Sequence, residues 1–116
     1  MLLEPSRDLV IKKLHDCFPD QGAASNALAL LDEYGDEQKE PYRVQLAMIK
    51  LSGGRLDTLR DLVATARIDY RDVLAGAEYP EQMRSFASRF NTPEEEIKAI
   101  EQRDLDQYQR WLQSDA

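Results

Sequence analysis

The chain has 116 residues, 42% of them hydrophobic and 32% charged, a balance typical of one globular domain rather than of a disordered or fibrous protein. The 22 acidic residues outnumber the 15 basic ones, and the net charge of −7 argues against a broad cationic surface for nucleic acid or an anionic membrane. A single cysteine, Cys17, excludes an internal disulfide and a four-thiolate zinc site. A single histidine, His15, excludes the common metal and acid–base sites that need several.

The sequence contains no predicted membrane span and no predicted export signal. No run approaches the ~18 consecutive apolar residues of a transmembrane helix. The first five residues lack the basic stretch and apolar run of a secretory signal. Since a free thiol suits a reducing compartment, we expect a cytoplasmic protein.

Every long segment of the sequence has the helical period, and none shows the alternation of a β-strand. Ser6 is predicted to cap the first helix, and Gly35 to end the second in the left-handed conformation. Thr92 is predicted to cap the sixth helix, with Pro93 in its first position. The predicted helices, in chain order, cover residues 7–18, 23–34, 41–52, 56–77, a short segment with Met83, Phe86, Ala87 and Phe90, and 93 to about 111.

The third and fourth helices are predicted to form the centre of the fold. The third carries apolar residues on two opposite sides and is therefore expected to be covered on both. The fourth is expected to run without interruption, because its apolar stripe holds the helical spacing for five turns. Its opposite side carries Ala64, Ile68 and Ala75, which indicates close approach of another helix or another subunit.

These patterns predict an all-α fold, an irregular or orthogonal bundle of five to six helices. We expect a single domain over residues 1–116. Its last segment, residues 92–116, is a candidate arm that lies against the body of the domain or against a neighbour.

Four short segments stand out in the middle of the chain: Arg43-Val44-Gln45-Leu46-Ala47, Lys50-Leu51-Ser52-Gly53-Gly54, Asp69-Tyr70-Arg71-Asp72-Val73-Leu74-Ala75 and Ala77-Glu78-Tyr79-Pro80. Over roughly residues 42–81 they resemble a family of short, uncharacterised bacterial proteins. The most specific part is the Asp-Tyr-Arg-Asp-Val-Leu run followed by Glu-Tyr-Pro. The resemblance implies a compact bacterial helical domain, and it implies no activity, cofactor or partner.

The charged side of the fourth helix is the first candidate binding site. On a straight helix Arg60, Arg67 and Arg71 lie within about 40° of one another. Arg67 and Arg71 also form a like-charge pair four residues apart, which costs a few tenths of a kcal/mol in an isolated helix. We therefore expect a counter-charge from a carboxylate on another helix, from the acidic surface of a partner, or from a small anionic ligand.

The sixth helix is the second candidate. Its apolar face includes two carboxylates, Glu101 and Asp104, and bare carboxylates in an apolar seam are costly. We expect these acids either to face water or to reach the arginine pair of the fourth helix, within one chain or across two subunits. Tyr108 and Trp111 then form a candidate docking patch, because aromatic residues are favoured at interfaces.

No constellation of residues predicts catalysis or metal binding. Asp69 and Asp72 are neighbours on a helix, with Arg71 expected to point elsewhere, and a single histidine cannot supply a helical di-iron site. His15 and Cys17 lie two residues apart and point in different directions, which does not suit a nucleophile and its base. The sequence therefore predicts no catalytic, cofactor-binding or metal-binding residue.

Two further motifs are assigned structural roles. No lysine-serine or lysine-threonine pair follows Gly53-Gly54, so this pair is predicted to stop a helix rather than to bind phosphate. The region around residues 86–97 has the spacing of a helix-turn-helix, but the helix that would enter the groove opens with three glutamates, 94–96, that would repel DNA. No nucleic-acid partner is expected.

The sequence thus favours a non-enzymatic protein–protein interaction or regulatory module of a small bacterial assembly, with self-association expected. The predicted contacting residues are Arg67, Ile68, Arg71, Tyr108 and Trp111. The alternative is a small anionic-ligand-binding protein or enzyme that uses Arg67 and Arg71 as a clamp, with Tyr70 or Tyr79 as a wall.

Overall fold

The computed structural model describes residues 3–85 and 91–114, and these ranges contain six α-helices and no β-strand. The helices are α1 (Arg7–Cys17), α2 (Gln21–Asp32), α3 (Pro41–Ser52), α4 (Leu56–Glu78), α5 (Pro80–Ser85) and α6 (Glu94–Gln113). The predicted all-α bundle is confirmed. Phe86, Ala87 and Phe90, expected on the fifth helix, lie outside the described residues. None of the described helices has the length and apolar character needed to cross a lipid bilayer.

Helices α3 and α4 form the centre of the bundle, as predicted. Six consecutive residues of α3, 44–49, are buried, so neighbouring elements cover this helix on all sides. α3 packs most extensively along α4, while α1 lies against α3 and α2 against α4. The α6 residues Tyr108 and Leu112 belong to the same apolar core.

The turn between α3 and α4 follows the prediction closely. α3 begins at Pro41 and ends at Ser52, and both following glycines have positive φ, +60° at Gly53 and +79° at Gly54. A Cβ atom at Gly54 would lie 2.8 Å from the carbonyl oxygen of Cys17, whereas one at Gly53 would meet nothing within 4 Å. Glycine at residue 54 therefore allows α1 and the turn to approach closely.

The ends of α2 differ from the prediction. The carboxylate of Asp20 accepts a hydrogen bond from the Ala23 N–H at 2.9 Å, so the helix begins at Gln21, two residues earlier than expected. At the other end the helix stops at Asp32, and the expectation that Gly35 takes the left-handed conformation is wrong. The buried Gln45 side chain of α3 donates instead to the carbonyl oxygens of Leu31 and Tyr34, at 3.3 and 2.8 Å.

The first and last helices begin close to the predicted residues. The Ser6 hydroxyl accepts the N–H of Leu9 at 3.2 Å, which confirms it as the cap of α1. α6 starts at Glu94 with Pro93 in the cap position, one residue later than expected.

Helix α4 is not continuous, contrary to the expectation of five uninterrupted turns. Asp69 has extended backbone angles, φ −151° and ψ 98°, in the middle of the helix. Its carboxylate accepts the N–H of Arg71 at 3.1 Å, the bond that a helix-capping aspartate makes to the second residue of a helix. α4 is therefore two helical segments, 56–68 and 70–78, with Asp69 as an internal cap.

Candidate functional site

The interruption at Asp69 places three of the predicted contact residues around one open pocket. Arg67, Ile68 and Arg71 line this pocket of about 350 Å³, and Lys39 from the α2–α3 connection lines it as well. We call Lys39, Arg67, Ile68 and Arg71 the kink surface. The Tyr34 hydroxyl, which donates to the Lys39 carbonyl oxygen at 2.8 Å, holds this connection in place.

The side chain of Ile68 projects into solvent at the centre of the kink surface. The residue is 89% exposed, more than any other large hydrophobic residue of the described ranges. Ala64, one turn earlier on the same side, is also exposed. The sequence left two candidates to cover this side of α4, another helix or another subunit, and no helix within residues 3–85 and 91–114 covers Ile68.

Arg71 is neutralised by its own helix. Its Nε and Nη2 atoms donate to the two carboxylate oxygens of Asp69 at 3.0 and 3.3 Å, although Arg71 was expected to point away from that residue. The expectation failed because it assumed a straight helix. The bonds from the Arg71 side chain and backbone hold the pKa of the Asp69 carboxyl below its usual value.

Arg67 has only a distant counter-charge. Its Nη1 atom lies 4.0 Å from Oε1 of Glu33 at the end of α2, and more than half of each side chain is exposed. Exposed ion pairs at this separation contribute little to stability, typically 0 to ~1 kcal/mol. The pocket wall thus carries three cations and one carboxylate, a local positive charge on a chain whose net charge is −7.

Among the described residues of one chain, the acids of α6 do not pair with Arg67 or Arg71, and a contact across two subunits stays a prediction. Asp104 is 2% exposed, and its two oxygens accept the backbone N–H groups of Glu81 and Gln82, each at 3.0 Å. These are N–H groups of the first turn of α5, which have no acceptor within their own helix. A carboxylate from α6 thus caps α5, and the adjacent Arg103 pairs with Glu81 at 2.6 Å.

A second pocket lies between the end of α4, α5 and α6. Tyr79, Gln82, Glu101, Leu105 and Tyr108 line this groove of about 380 Å³, which we call the α6 groove. Its lining is more apolar than polar, and its charged residues, Glu78, Glu101 and Asp104, are all acidic. Leu105 and Tyr79 are 40% and 37% exposed.

Tyr108 contributes a buried hydroxyl to the groove wall. The residue is 8% exposed, and its hydroxyl has no hydrogen-bond partner among the described residues. Burial, and after it the nearby charge of Glu78, raise the pKa of this hydroxyl. A buried hydroxyl without a partner is costly, on the order of 1–3 kcal/mol.

One wall of the groove is fixed by a partly buried ion pair that sequence reasoning missed. Arg43 on α3 donates to both oxygens of Glu78, at 2.9 and 2.7 Å, and to the hydroxyl of Tyr79 at 2.8 Å. The bond to Glu78 raises the pKa of Arg43 above its ordinary value. Arg43 belongs to the first of the four segments that carry the family resemblance, and Glu78 and Tyr79 belong to the last. The first and last segments therefore meet at this ion pair.

Trp111, the other predicted docking residue, makes contacts within the chain. Its ring stacks on Tyr108 with centroids 5.7 Å apart, and the Nζ atom of Lys13 lies 4.6 Å from the ring centroid. Lys13 is fully buried and donates to the carbonyl oxygens of Trp111 and Ser114, at 2.7 and 3.1 Å. A buried amine thus satisfies the carbonyl groups at the C-terminus of α6 and holds this helix against α1.

The roles of Asp69 and Leu105 at these surfaces were not predicted, although each residue left a signal in the sequence. Asp69 is a residue type that favours caps and destabilises helix interiors, so its position within a long apolar stripe could have indicated a break. Leu105 lies off the main apolar face of α6 and four residues after Glu101, which places the two side chains next to each other.

Comparisons with protein-family models, with curated proteins and with solved structures find no match to this chain. The resemblance to short bacterial proteins therefore stays a prediction. Within the described ranges, no three histidine, cysteine, aspartate or glutamate side chains are grouped in a way that could hold a metal ion.

Proposed function

We propose that this chain is a non-enzymatic protein-interaction module that self-associates through the kink surface. The observation that carries the proposal is the 89% exposure of Ile68 between two arginines, at the point where α4 bends. An apolar side chain with a polar rim that includes arginines has the composition of a protein-binding surface.

The energetics favour a protein partner at this surface. Full burial of an isoleucine side chain stabilises a complex by roughly 1.5–3 kcal/mol. The guanidinium group of Arg67 can make planar, paired hydrogen bonds to a carboxylate of the partner, whereas Arg71, whose Nε and Nη2 atoms already donate to Asp69, offers only its remaining N–H groups. The chain's own surface is rich in such carboxylates, which makes a second copy a suitable partner.

The bend in α4 also supports the proposal, because it presents the surface in a fixed shape. Asp69 caps the second segment through the Arg71 N–H and holds the Arg71 guanidinium at the same time. A binding surface that is ordered before the partner arrives loses less conformational freedom on association.

The experiment is light scattering over a concentration series on the wild type, Ile68→Asp and Ala99→Asp. Ala99 is an exposed residue of α6, so its substitution adds the same charge away from the kink surface. We expect the wild type and Ala99→Asp to show the same rise in average mass, and Ile68→Asp to remain monomeric. A wild type that is monomeric throughout, or an Ile68→Asp variant that matches it, would refute the proposal.

A second candidate function is supported by the pocket beside Ile68. Arg67, Arg71 and Lys39 all line it, which is the arrangement expected of a clamp for a small anion. Titration with inorganic phosphate, pyrophosphate and citrate, followed by thermal unfolding and by amide NMR, tests this function. Stabilisation by one of these anions that Arg71→Gln abolishes supports it, and the absence of any shift counts against it.

A further inference from the structure

We infer that the kink surface of one copy of this chain docks into the α6 groove of a second copy. The inference rests on the proposed function, which names the kink surface as one side of the contact. It adds the other side, the surface of the second copy to which the kink surface binds. Three features of the molecule carry it: the match in charge between the two surfaces, the match of their apolar parts, and the buried hydroxyl of Tyr108 behind the groove.

The charges of the two surfaces are opposite. The kink surface carries Lys39, Arg67 and Arg71 against the carboxylate of Asp69, whereas the three charged residues that line the α6 groove are acidic. Of these three, Glu78 pairs with Arg43 and Asp104 caps α5, so the free negative charge of the groove is that of Glu101. Glu101 at the groove edge is exposed and forms no ion pair with another described residue. Such complementarity accelerates association and fixes the orientation of the partners.

The apolar parts of the two surfaces also match. Ile68 is a single protruding side chain, and the groove presents the partly exposed Tyr79 and Leu105 within a concave space of about 380 Å³. One isoleucine side chain together with a guanidinium group fits in a space of this size. Docking would remove Ile68, Tyr79 and Leu105 from water at once, which is the main source of favourable free energy at protein interfaces.

The hydroxyl of Tyr108 points to an occupant that brings a hydrogen-bond donor. It lies in the groove wall, is buried, and has no partner among the described residues. Inside the chain, Arg43 already donates to the neighbouring tyrosine hydroxyl, that of Tyr79, at 2.8 Å. Because this hydroxyl exposes almost no surface, the Tyr108 side chain has to move into the groove before an arriving Arg67 or Arg71 can donate the same kind of bond.

The kink surface and the α6 groove share no residue, and the inferred contact is head-to-tail, with one kink surface and one groove used at each contact. Each copy therefore keeps one free kink surface and one free groove after a first contact. Such an interface continues into a closed ring or an open chain rather than stopping at a symmetric dimer.

The test uses two variants that each disable one surface. Ile68→Asp places an acid on the kink surface that the acidic groove repels, and Leu105→Lys places a cation in the groove that the cationic kink surface repels. Both positions are solvent-exposed, and circular dichroism verifies that both variants are folded. Ala99→Lys on the exposed side of α6 is the matched control for added positive charge.

We expect the wild type and Ala99→Lys to grow beyond a dimer with concentration in sedimentation velocity. Each surface variant alone is expected to be monomeric, with its dissociation constant raised about tenfold or more. An equimolar mixture of the two is expected to form dimers and nothing larger, because only the groove of Ile68→Asp and the kink surface of Leu105→Lys remain intact.

Other results overturn the inference in distinguishable ways. If Leu105→Lys associates like the wild type while Ile68→Asp does not, the kink surface binds elsewhere: the inference fails and the proposed function stands. If the two monomeric variants do not combine in the mixture, the two surfaces do not meet, and the inference fails again. If the wild type is monomeric, or Ile68→Asp associates like the wild type, the proposed function fails with it.

Discussion

The carboxylate of Asp69 receives three hydrogen bonds from Arg71, one from its backbone N–H at 3.1 Å and two from its guanidinium group at 3.0 and 3.3 Å. One residue thus ends the first segment of α4, caps the second and holds a cation at the bend. The position of Ile68, immediately before this aspartate, follows from the same interruption.

Substitution of Asp69 should show how much its capping hydrogen bond contributes to the stability of the folded chain. We expect Asp69→Ala to lower the free energy of unfolding by about 1 kcal/mol, within the range of 0.5–2 for a lost N-cap. Asp69→Asn should lose less, because an asparagine oxygen can still accept the Arg71 N–H. Urea unfolding measures both, and an Asp69→Ala variant as stable as the wild type would contradict the role of the cap.

The stability contributed by Asp69 should depend on pH in the acid range. Because the folded state lowers the pKa of this carboxyl, its contribution is present above the usual aspartate pKa of about 4 and is lost as the pH falls through the lowered value. The difference in unfolding free energy between the wild type and Asp69→Asn should therefore shrink from pH 7 towards pH 3. A difference that stays constant over this range would show that the charge of Asp69 contributes nothing.

Substitution of Asp104 should lower the free energy of unfolding far more than substitution of Asp106, its exposed neighbour on α6. Removing its buried carboxylate leaves the N–H groups of Glu81 and Gln82 without an acceptor, at a cost of about 1–3 kcal/mol. Asp106→Ala, at an exposed position two residues on, should change stability by less than about 0.5 kcal/mol. Amide hydrogen exchange should be faster at Glu81 and Gln82 in Asp104→Ala alone, and equal exchange in both variants would contradict the cap.

Gly53 and Gly54, the two glycines after α3, allow a comparison of two alanine variants that differ in one close contact. Alanine at either position suffers the strain of a positive φ, roughly 1–2 kcal/mol. At Gly54 the added Cβ also collides with the Cys17 carbonyl oxygen, so Gly54→Ala should be the less stable variant by at least about 1 kcal/mol. Thermal unfolding compares the two, and equal losses would mean that the approach of α1 to this turn is not tight.

Elements with local signals at both ends were predicted well from the sequence. α3 has a proline that fits its first turn and a glycine that suits the left-handed position after its end, and both predicted bounds are confirmed. The kink in α4 was not predicted, because the apolar stripe continues through it and a helical wheel assumes a straight axis. The end of α2 depends on Gln45, a residue of another helix, and local sequence does not contain that contact.

The candidate surfaces were predicted only in part for the same reason. Arg67, Ile68 and Arg71 were identified from one helix, and the structure brings all three to one pocket. Lys39 joins them only through the tertiary path of the α2–α3 connection. Asp104 was expected to face water or to pair with arginines on α4, but its partners are the N–H groups of α5, whose position depends on packing rather than on sequence spacing.

An amide NMR dilution series tests the central claim, that the kink surface is the binding surface, at the level of single residues. The claim predicts that the signals of residues 66–71 shift or broaden as the concentration rises, while those of the exposed α2 residues Ser25 and Asn26 stay unchanged. Ile68→Asp should abolish these changes. Signals of residues 66–71 that do not depend on concentration, or changes confined to other helices, would contradict the claim.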